Sequence, residues 1–382
     1  MESIYLDHSA TTYVRPEVLK SMISYFSEYY GNPGSMHRIG LTAKQAIDTA
    51  RKITAEILNC DPEEIIFTGS GTESINMAIQ GIAERGDHII TTNTEHHAVL
   101  HTCQFLEKRG VEVTYLPVNQ KGLITPEQVE KAIKKNTKLI TIAYANNEIG
   151  VIQPISQIGN ISKKRKIYFH TDACQAGLYL DLNIKNLNVD MMTLNSSKVY
   201  GPKGVGMLFV DRSVKIRPIL FGGSQEQGLR PGTENVPGIV GFATALKIGQ
   251  KEKQKENIRL ENIRDYLIQE LLKISDTKLN GDPKKRLPNN VNVSFDGVEG
   301  ESIILRLDEK GFCVSTGSAC TSRSLEPSHV IQALYGSDKK EIAHGSIRIT
   351  LGKKTTMNNA RNFVEVIKDV VSGLREISPV YK

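Results

Sequence analysis

Lys198 and Asp172 are the residues of this chain whose setting most suggests chemistry. Lys198 lies in the stretch Asn195-Ser196-Ser197-Lys198-Val199-Tyr200-Gly201-Pro202-Lys203-Gly204. It follows a short serine-rich run and precedes a Gly/Pro turn, so the backbone holds it in place. A mostly apolar strand is expected over 205–210. Upstream, an apolar run over 167–171 ends in Asp172. An acid at the end of one strand can share a pocket with a lysine that follows another. Such a pair suits pyridoxal phosphate: the lysine forms the Schiff base, and the acid keeps the pyridine nitrogen protonated. A surface lysine in a turn, beside an unrelated strand-end acid, fits these residues equally well.

Four other segments carry chemical potential. Thr68-Gly69-Ser70-Gly71-Thr72-Glu73-Ser74 follows an expected strand and opens an expected helix. Glycines let an anion approach the backbone, and first-turn N–H groups with the helix dipole bind phosphate. Ordinary capping by Ser70 or Thr72 is the plain alternative. Thr94-Glu95-His96-His97-Ala98-Val99-Leu100-His101 holds three histidines. His97 and His101 share a helix face, but no third ligand lies at metal-site spacing. His96 could stack on an aromatic cofactor and move protons, or be an ordinary surface histidine. Asn146-Asn147-Glu148-Ile149-Gly150 follows a strand and offers paired amides to a ligand, or is a polar turn. Thr316 to Ser324 is a small-residue stretch around Cys320, expected to form an exposed, mobile loop. Arg323 nearby would favour the thiolate, which makes Cys320 the candidate nucleophile. Cys313 reads as inert core and Cys174 as packing.

The elements that must position these residues follow from the patterning. The chain has 382 residues, 39% hydrophobic and 24% charged, which is a globular composition of one large or two domains. Helical and strand patterns alternate from about residue 15 to 220. Helices are expected over 18–29, 43–58, 74–83, 99–108 and 126–134, and strands over 65–68, 89–91, 111–116 and 139–143. Alternation of this kind gives an α/β fold, a mostly parallel sheet between helices, with ligands beyond the carboxyl ends of the strands. A long helix over about 239–274 leads into a second, α+β part. Strands are expected there over 291–295, 312–314 and 346–350, with a final helix whose apolar face includes Phe363, Ile367 and Val371.

The five cysteines lack CxxC spacing, so neither a disulfide framework nor a structural zinc site is expected. The N-terminus lacks the marks of a signal peptide, and no apolar run is long enough to span a bilayer. A soluble, cytoplasmic protein is therefore expected. The net charge of +6 is modest, and the basic run 163–166 reads as a solvated helix end rather than a nucleic-acid patch.

Taken together, the segments resemble a cysteine desulfurase of the NifS/IscS type, in the class V aminotransferase family of fold-type I pyridoxal phosphate enzymes. The resemblance runs from Tyr5-Leu6-Asp7-His8-Ser9-Ala10-Thr11-Thr12 to Leu374. It takes in Gly31-Asn32-Pro33, Thr94-Glu95-His96, residues 146–150, Asp172 with Gln175, the Lys198 segment, 228–233 and 315–324. It implies a large cofactor-binding domain with a seven-stranded type of sheet over 13–254. A smaller α+β domain from 1–12 and 255–382 would carry the cysteine loop, about 315–326.

Residue by residue, the resemblance implies that Lys198 holds pyridoxal 5'-phosphate, Asp172 pairs with its ring nitrogen and Gln175 with its ring oxygen. His96 stacks on the ring, and Gly71 and Thr72 bind the phosphate. Thr233 reaches the phosphate of the neighbouring subunit, implying a homodimer. Asn147 and Arg348 hold the substrate carboxylate, and Cys320 receives sulfur from L-cysteine as a persulfide, leaving alanine. An iron–sulfur scaffold protein is the implied acceptor, and tRNA thiolation through relay proteins a further outlet; Cys320 could also serve as a cluster ligand. Two features depart from the family pattern. Asn195 and Ser197 stand where a serine and a histidine are usual, which would rewire the phosphate site. The chain ends at Ser378-Pro379-Val380-Tyr381-Lys382, whereas longer-tailed members use the tail toward the scaffold, so the docking mode is left open. Selenocysteine lyase or another β-lyase is the neighbouring alternative; a non-catalytic sulfur-transfer or metal-binding scaffold is the alternative from another class.

Overall fold

A computed structural model describes residues 3–317, 327–336 and 340–378. Its largest sheet is seven-stranded, in the spatial order Ile65–Thr68, Gly206–Val210, Met191–Asn195, Tyr168–Asp172, Thr137–Ala143, His88–Thr92, Glu112–Leu116. Gly206–Val210 runs antiparallel to both of its neighbours, and the remaining pairs are parallel. The sheet is thus mixed and mostly parallel, the α/β arrangement that the resemblance implies.

Its strands other than the edge strand Glu112–Leu116 are largely buried on both faces, and the alternation of side chains can be followed residue by residue. Ile65, Phe67, Ile140, Ile142, Met192, Leu194, Met207 and Phe209 join one apolar cluster. Ile66, Leu139, Met191 and Leu208 join the other. A period of two with both phases apolar is what a sheet covered by helices on each side requires.

Register brings the strand ends to one edge. Asp172 lies opposite Ala143 on one side and Thr193 on the other, and Gly206 lies opposite both Asn195 and Thr68. The carboxyl ends of four strands therefore meet there, and the turns carrying Gly71, Asp172 and Lys198 leave from that edge.

A single helix, Val236–Leu271, of 36 residues and so about 54 Å long, passes from this body to a second group of elements. It is buried from Val236 to Leu246 and again from Leu260 to Leu271, and emerges into solvent between. Beyond it an antiparallel sheet places Asn290–Phe295 between Ser346–Thr350 and Thr277–Leu279. The final helix, Met357–Glu376, buries Phe363, Val364, Ile367 and Val371, the spacing of one helical face.

The N-terminal segment bridges the two groups. Ile4–Tyr5 pairs in parallel with Phe312–Cys313. The chain then crosses to the Lys198 turn, where Thr12 N donates to Ser197 O at 2.8 Å and Arg15 N to Tyr200 O at 3.2 Å.

Several expected boundaries move. The helix expected over 18–29 is two shorter ones, Pro16–Met22 and Ser24–Ser27. The helix expected over 74–83 begins at Gly71, because Ser70 caps it, and ends at Gln80. The basic run closes the helix Ile155–Arg165 with exposed side chains, as a solvated helix end should. Cys313 is half-buried rather than core, with its thiol 3.8 Å from Asp308 Oδ1. Among the described residues no helix is long and apolar enough to cross a membrane.

Candidate active site

Strand Met191–Asn195 runs directly into a single tight turn, Ser196–Lys198, which Asn195 caps by accepting from Ser197 N. Lys198 is therefore fixed within three residues of a buried strand end. Its Nζ donates to the carbonyls of Ser9 (2.7 Å) and Ala10 (2.5 Å). Asp172 closes its own strand and is 9% exposed; its Oδ1 accepts from Cys174 N at 2.9 Å, which aims the carboxylate outward from the sheet edge. Below it, His170 is completely buried between Thr141 Oγ1 (2.8 Å) and Thr193 Oγ1 (3.0 Å), and burial pushes it down to about 4.

His96 caps the helix His97–Glu107, its Nδ1 accepting from Ala98 N at 3.0 Å. An accepting Nδ1 leaves the proton on Nε2. Burial lowers the pKa of this ring, the Asp172 charge opposes that, and the Lys198 charge adds to it. His96, Asp172 and Lys198 therefore share one electrostatic environment.

The Gly71 turn sits against the same edge. A Cβ on Gly71 would lie 2.8 Å from Cys174 Sγ and 3.3 Å from Asn195 Cβ. The helix Gly71–Gln80 thus starts in contact with the residues after Asp172 and before Lys198. Its cap uses Ser70 Oγ for Glu73 N and Ser70 O for Ser74 N; neither Gly71 N nor Thr72 N is spent on it. Thr72 is exposed and lines a cleft of about 500 Å³ with Asn76, His96, His97 and His101. Glu73 anchors the turn from behind, accepting from Gly69 N (2.8 Å) and Arg230 Nε (2.8 Å).

Arg348 occupies the second sheet, 2% exposed. Its Nη2 donates to Asp7 Oδ1 at 2.7 Å, and its Nη1 to Asn147 O (3.1 Å) and Gly317 O (2.9 Å). Its Nε is buried without a partner among the described residues. The Nε–Nη2 edge, the side of a guanidinium that grips a carboxylate with two parallel bonds, is half unsatisfied.

These residues suit pyridoxal phosphate. An amine held by carbonyls, a buried carboxylate aimed off the strand end, a helix start with two amides to give and an imidazole beside them supply the groups that the cofactor's aldehyde, ring nitrogen, phosphate and ring face require. Of the two rewired positions, Asn195 packs against Gly71 at that helix start, and Ser197 adjoins Asn195, its N and Oγ each 3.4 Å from Asn195 Oδ1.

The other candidate residues have the following neighbours. Gln175 Nε2 donates to Ser9 O at 3.1 Å, so its amide is engaged by the N-terminal segment. Asn147 meets Arg348 through its carbonyl. Thr233 is exposed, in the stretch that follows Arg230. Cys320 lies outside the described residues. Burial raises the thiols of Cys60 and Cys103 to about 12, and burial, followed by the Asp172 charge, raises Cys174 well above its ordinary value. Sequence reasoning gave no role to Asp7, to the Ser9 and Ala10 carbonyls, or to Glu148; the first two lie in the stretch 5–12, which matches the family without a function attached to it.

The fold and this site together define a pyridoxal phosphate enzyme of fold type I. The family model for class-V aminotransferases matches residues 4–363, and the chain belongs to that family. The chain is 50% identical to a cysteine desulfurase IscS of Methanosarcina thermophila, over 99% of this chain and 94% of the relative. It is 49% identical to a cysteine desulfurase IscS of Dictyoglomus turgidum, over 98% and 96%. Among solved structures, a NifS-like protein superposes with a TM-score of 0.91 at 37% identity, covering 97% of this chain and 100% of that one. A NifS-like protein of Rickettsia africae gives 0.88 at 31%, with coverage of 97% and 100%.

Proposed function

We propose that this chain is a cysteine desulfurase that converts L-cysteine to L-alanine and transfers the sulfur to Cys320. The observation that carries the reading is the joint placement of Lys198, Asp172 and His96 at one sheet edge, with a half-unsatisfied Arg348 in the site's second wall. Relatives at 50% and 49% identity that bear the name cysteine desulfurase IscS support it.

Lys198 would carry the cofactor, Asp172 would face its ring nitrogen, Gln175 its ring oxygen, and Gly71, Thr72, Asn195 and Ser197 would surround its phosphate. When bound, pyridoxal phosphate supplies a sink for the electrons left when a bond at the substrate Cα breaks. Arg348 would take the L-cysteine carboxylate through Nε, which has no partner among the described residues, with Asn147 beside it. The Lys198 amine removes the Cα proton. His96, neutral with its proton on Nε2, would lie against the ring face and could pass a proton at that atom. The Cys320 thiolate attacks the substrate sulfur: a sulfur–sulfur bond forms, the Cβ–S bond breaks, Cβ takes up a proton, and Lys198 returns the proton it removed to Cα to give alanine.

The arrangement is read as a cytoplasmic homodimer in which Thr233 reaches the neighbouring subunit's phosphate. The body over 13–254 holds the cofactor, and 1–12 with 255–382 carry the cysteine. The persulfide passes to an iron–sulfur scaffold protein. The deciding experiment measures alanine and sulfide from L-cysteine with and without Cys320→Ala. Alanine formation that depends on Cys320 supports the reading; undiminished turnover by the variant overturns the persulfide route.

A further inference from the structure

Glu148 takes no part in the steps above, yet it is completely buried and tightly held. Its N–H donates to Asn146 Oδ1 at 2.9 Å, and its carbonyl accepts from Asn290 Nδ2 (3.0 Å) and Asn292 Nδ2 (3.2 Å). The carboxylate therefore springs from a fixed backbone. Its Oε2 accepts from Ser328 Oγ at 2.5 Å. The backbone of Gly317 passes over the same oxygen so closely that a Cβ there would sit on it, and 3.0 Å from both Cβ and Oγ of Ser328. Gly317, Ser328 and Glu148 Oε2 thus meet at one point. The other oxygen, Oε1, is buried and has no partner among the described residues.

The two chain positions that meet on this carboxylate are eleven apart in number, and each is anchored on its far side. Ser315 and Arg348 exchange backbone hydrogen bonds, and the Gly317 carbonyl accepts from Arg348 Nη1 at 2.9 Å. Ser328 Oγ caps the helix His329–Tyr335 through Ile331 N at 3.2 Å, and His329 Nε2 lies 3.0 Å from Glu95 O, one residue before His96. A buried carboxylate with a single side-chain donor is unfavourable, and folds retain one where its position matters. Helix capping does not account for Glu148, because Ser328 itself performs it.

We propose that Glu148 is a positioning residue for sulfur transfer: its carboxylate holds Gly317 and Ser328, described residues on either side of Cys320 in the chain, side by side, with Gly317 against Arg348. The proposal rests on the reading of Cys320 as the sulfur acceptor. Gly317 is required by the same contact, since any side chain there would displace the carboxylate.

The test uses the holoenzyme and the variants Glu148→Ala, Glu148→Gln and Ser328→Ala. Three quantities are measured: cofactor absorbance and its change with L-cysteine, kcat and KM for alanine, and the single-turnover rate of Cys320 persulfide formation, followed by alkylation and mass spectrometry. Glu148→Ala is expected to keep the cofactor spectrum and a KM within about threefold while the persulfide rate falls by about 10- to 100-fold, the loss that misplacement by about 1 Å produces. Glu148→Gln keeps an oxygen for Ser328 and is expected within about fivefold of the parent. Ser328→Ala is expected to reproduce the loss in persulfide rate at unchanged KM, and it decides the matter if Glu148→Ala does not fold. A parental persulfide rate in Glu148→Ala or in Ser328→Ala overturns the proposal. So does a loss in which cofactor binding, KM and persulfide rate fall together and Glu148→Gln gives no rescue, since that marks a general structural role. Failure of the Cys320 reading is separate: it shows as full alanine formation by Cys320→Ala.

Discussion

Gly71→Ala adds one methyl group at the point where the helix start, the Asp172 turn and the Lys198 turn touch. That methyl would lie 2.8 Å from Cys174 Sγ, about 0.6 Å inside the 3.4 Å at which ordinary contact begins, and 3.3 Å from Asn195 Cβ. Cys174 cannot retreat freely, because its own N–H is tied to Asp172 Oδ1 at 2.9 Å. Overpacking of this kind costs about 1–3 kcal/mol. The opposing gain, the helix preference of Ala over Gly, is at most about 1 kcal/mol and applies to helix interiors rather than to the first residue. The strain should therefore win. Because it falls on the turn offered to the phosphate, it should appear as a loss of cofactor affinity of about 5- to 150-fold. Titration of the apo chain with pyridoxal phosphate, followed by absorbance, measures it. Cys174→Ala removes the obstructing sulfur, so Gly71→Ala with Cys174→Ala should recover to within about threefold of the parent. Parental affinity in Gly71→Ala would refute the steric argument. So would a double variant as weak as the single one, provided that Cys174→Ala alone binds normally.

Two further predictions concern buried charge. Burial pushes Glu95 up to about 8, against the hydrogen bonds from Thr92 and Ala143. The folded chain then holds that proton more tightly than the unfolded one, whose carboxyl has the ordinary value of 4.5, so this contribution to stability is complete below 4.5 and is lost as pH rises toward 8; urea midpoints against pH should show a decline that Glu95→Gln flattens. Arg51 grips Glu226, which is 2% exposed at its side chain, with Nη2 at 2.6 Å and Nη1 at 3.0 Å. Arg51→Met strands that carboxylate and should cost about 3–5 kcal/mol, read as a lower urea midpoint of the apo chain, with Arg51→Lys recovering less than half because it lacks the fork.

The large sheet could be read from the chain because its strands and helices announce themselves locally. Apolar runs such as Ile65–Thr68 and Thr137–Ala143 sit between periodic helices. The strand that positions Lys198, Met191–Asn195, was not legible as a strand: Met, Leu and Asn have weak strand preference, and its pairing with Tyr168–Asp172 and Gly206–Val210 is what makes it one. Ile4–Tyr5 is shorter still and exists only through Phe312–Cys313. The site divides in the same way. Gly71, His96 and Asp172 stand at turns that the sequence marks. Asp7 meets Arg348 across 341 positions, and Glu148 meets Ser328 across 180, so no local pattern could disclose either contact. The resemblance located Arg348 but carried no information about what satisfies its guanidinium in this chain.

The N-terminal segment explains how two separately built walls act as one site. Asp172 and Lys198 are placed by the register of the large sheet, whereas Arg348 belongs to a strand of the second. Between them runs the short stretch from Asp7 to Thr12. Asp7 holds Arg348 Nη2, the Ser9 carbonyl takes both Lys198 Nζ and Gln175 Nε2, and the Ala10 carbonyl takes Lys198 again. Thr12 locks the far end, with N and Oγ1 donating to Ser197 O and Oγ1 accepting from Tyr200 N at 2.8 Å. Tyr5 Oη spans the same stretch from outside, its one O–H shared between Asp7 O (2.9 Å) and Thr11 O (3.0 Å). Backbone carbonyls suit this role because their direction is set by the chain path rather than by a rotamer. They aim an amine with little side-chain entropy to lose. The lysine that would carry the cofactor and the arginine that would receive the carboxylate are thereby referred to one short frame.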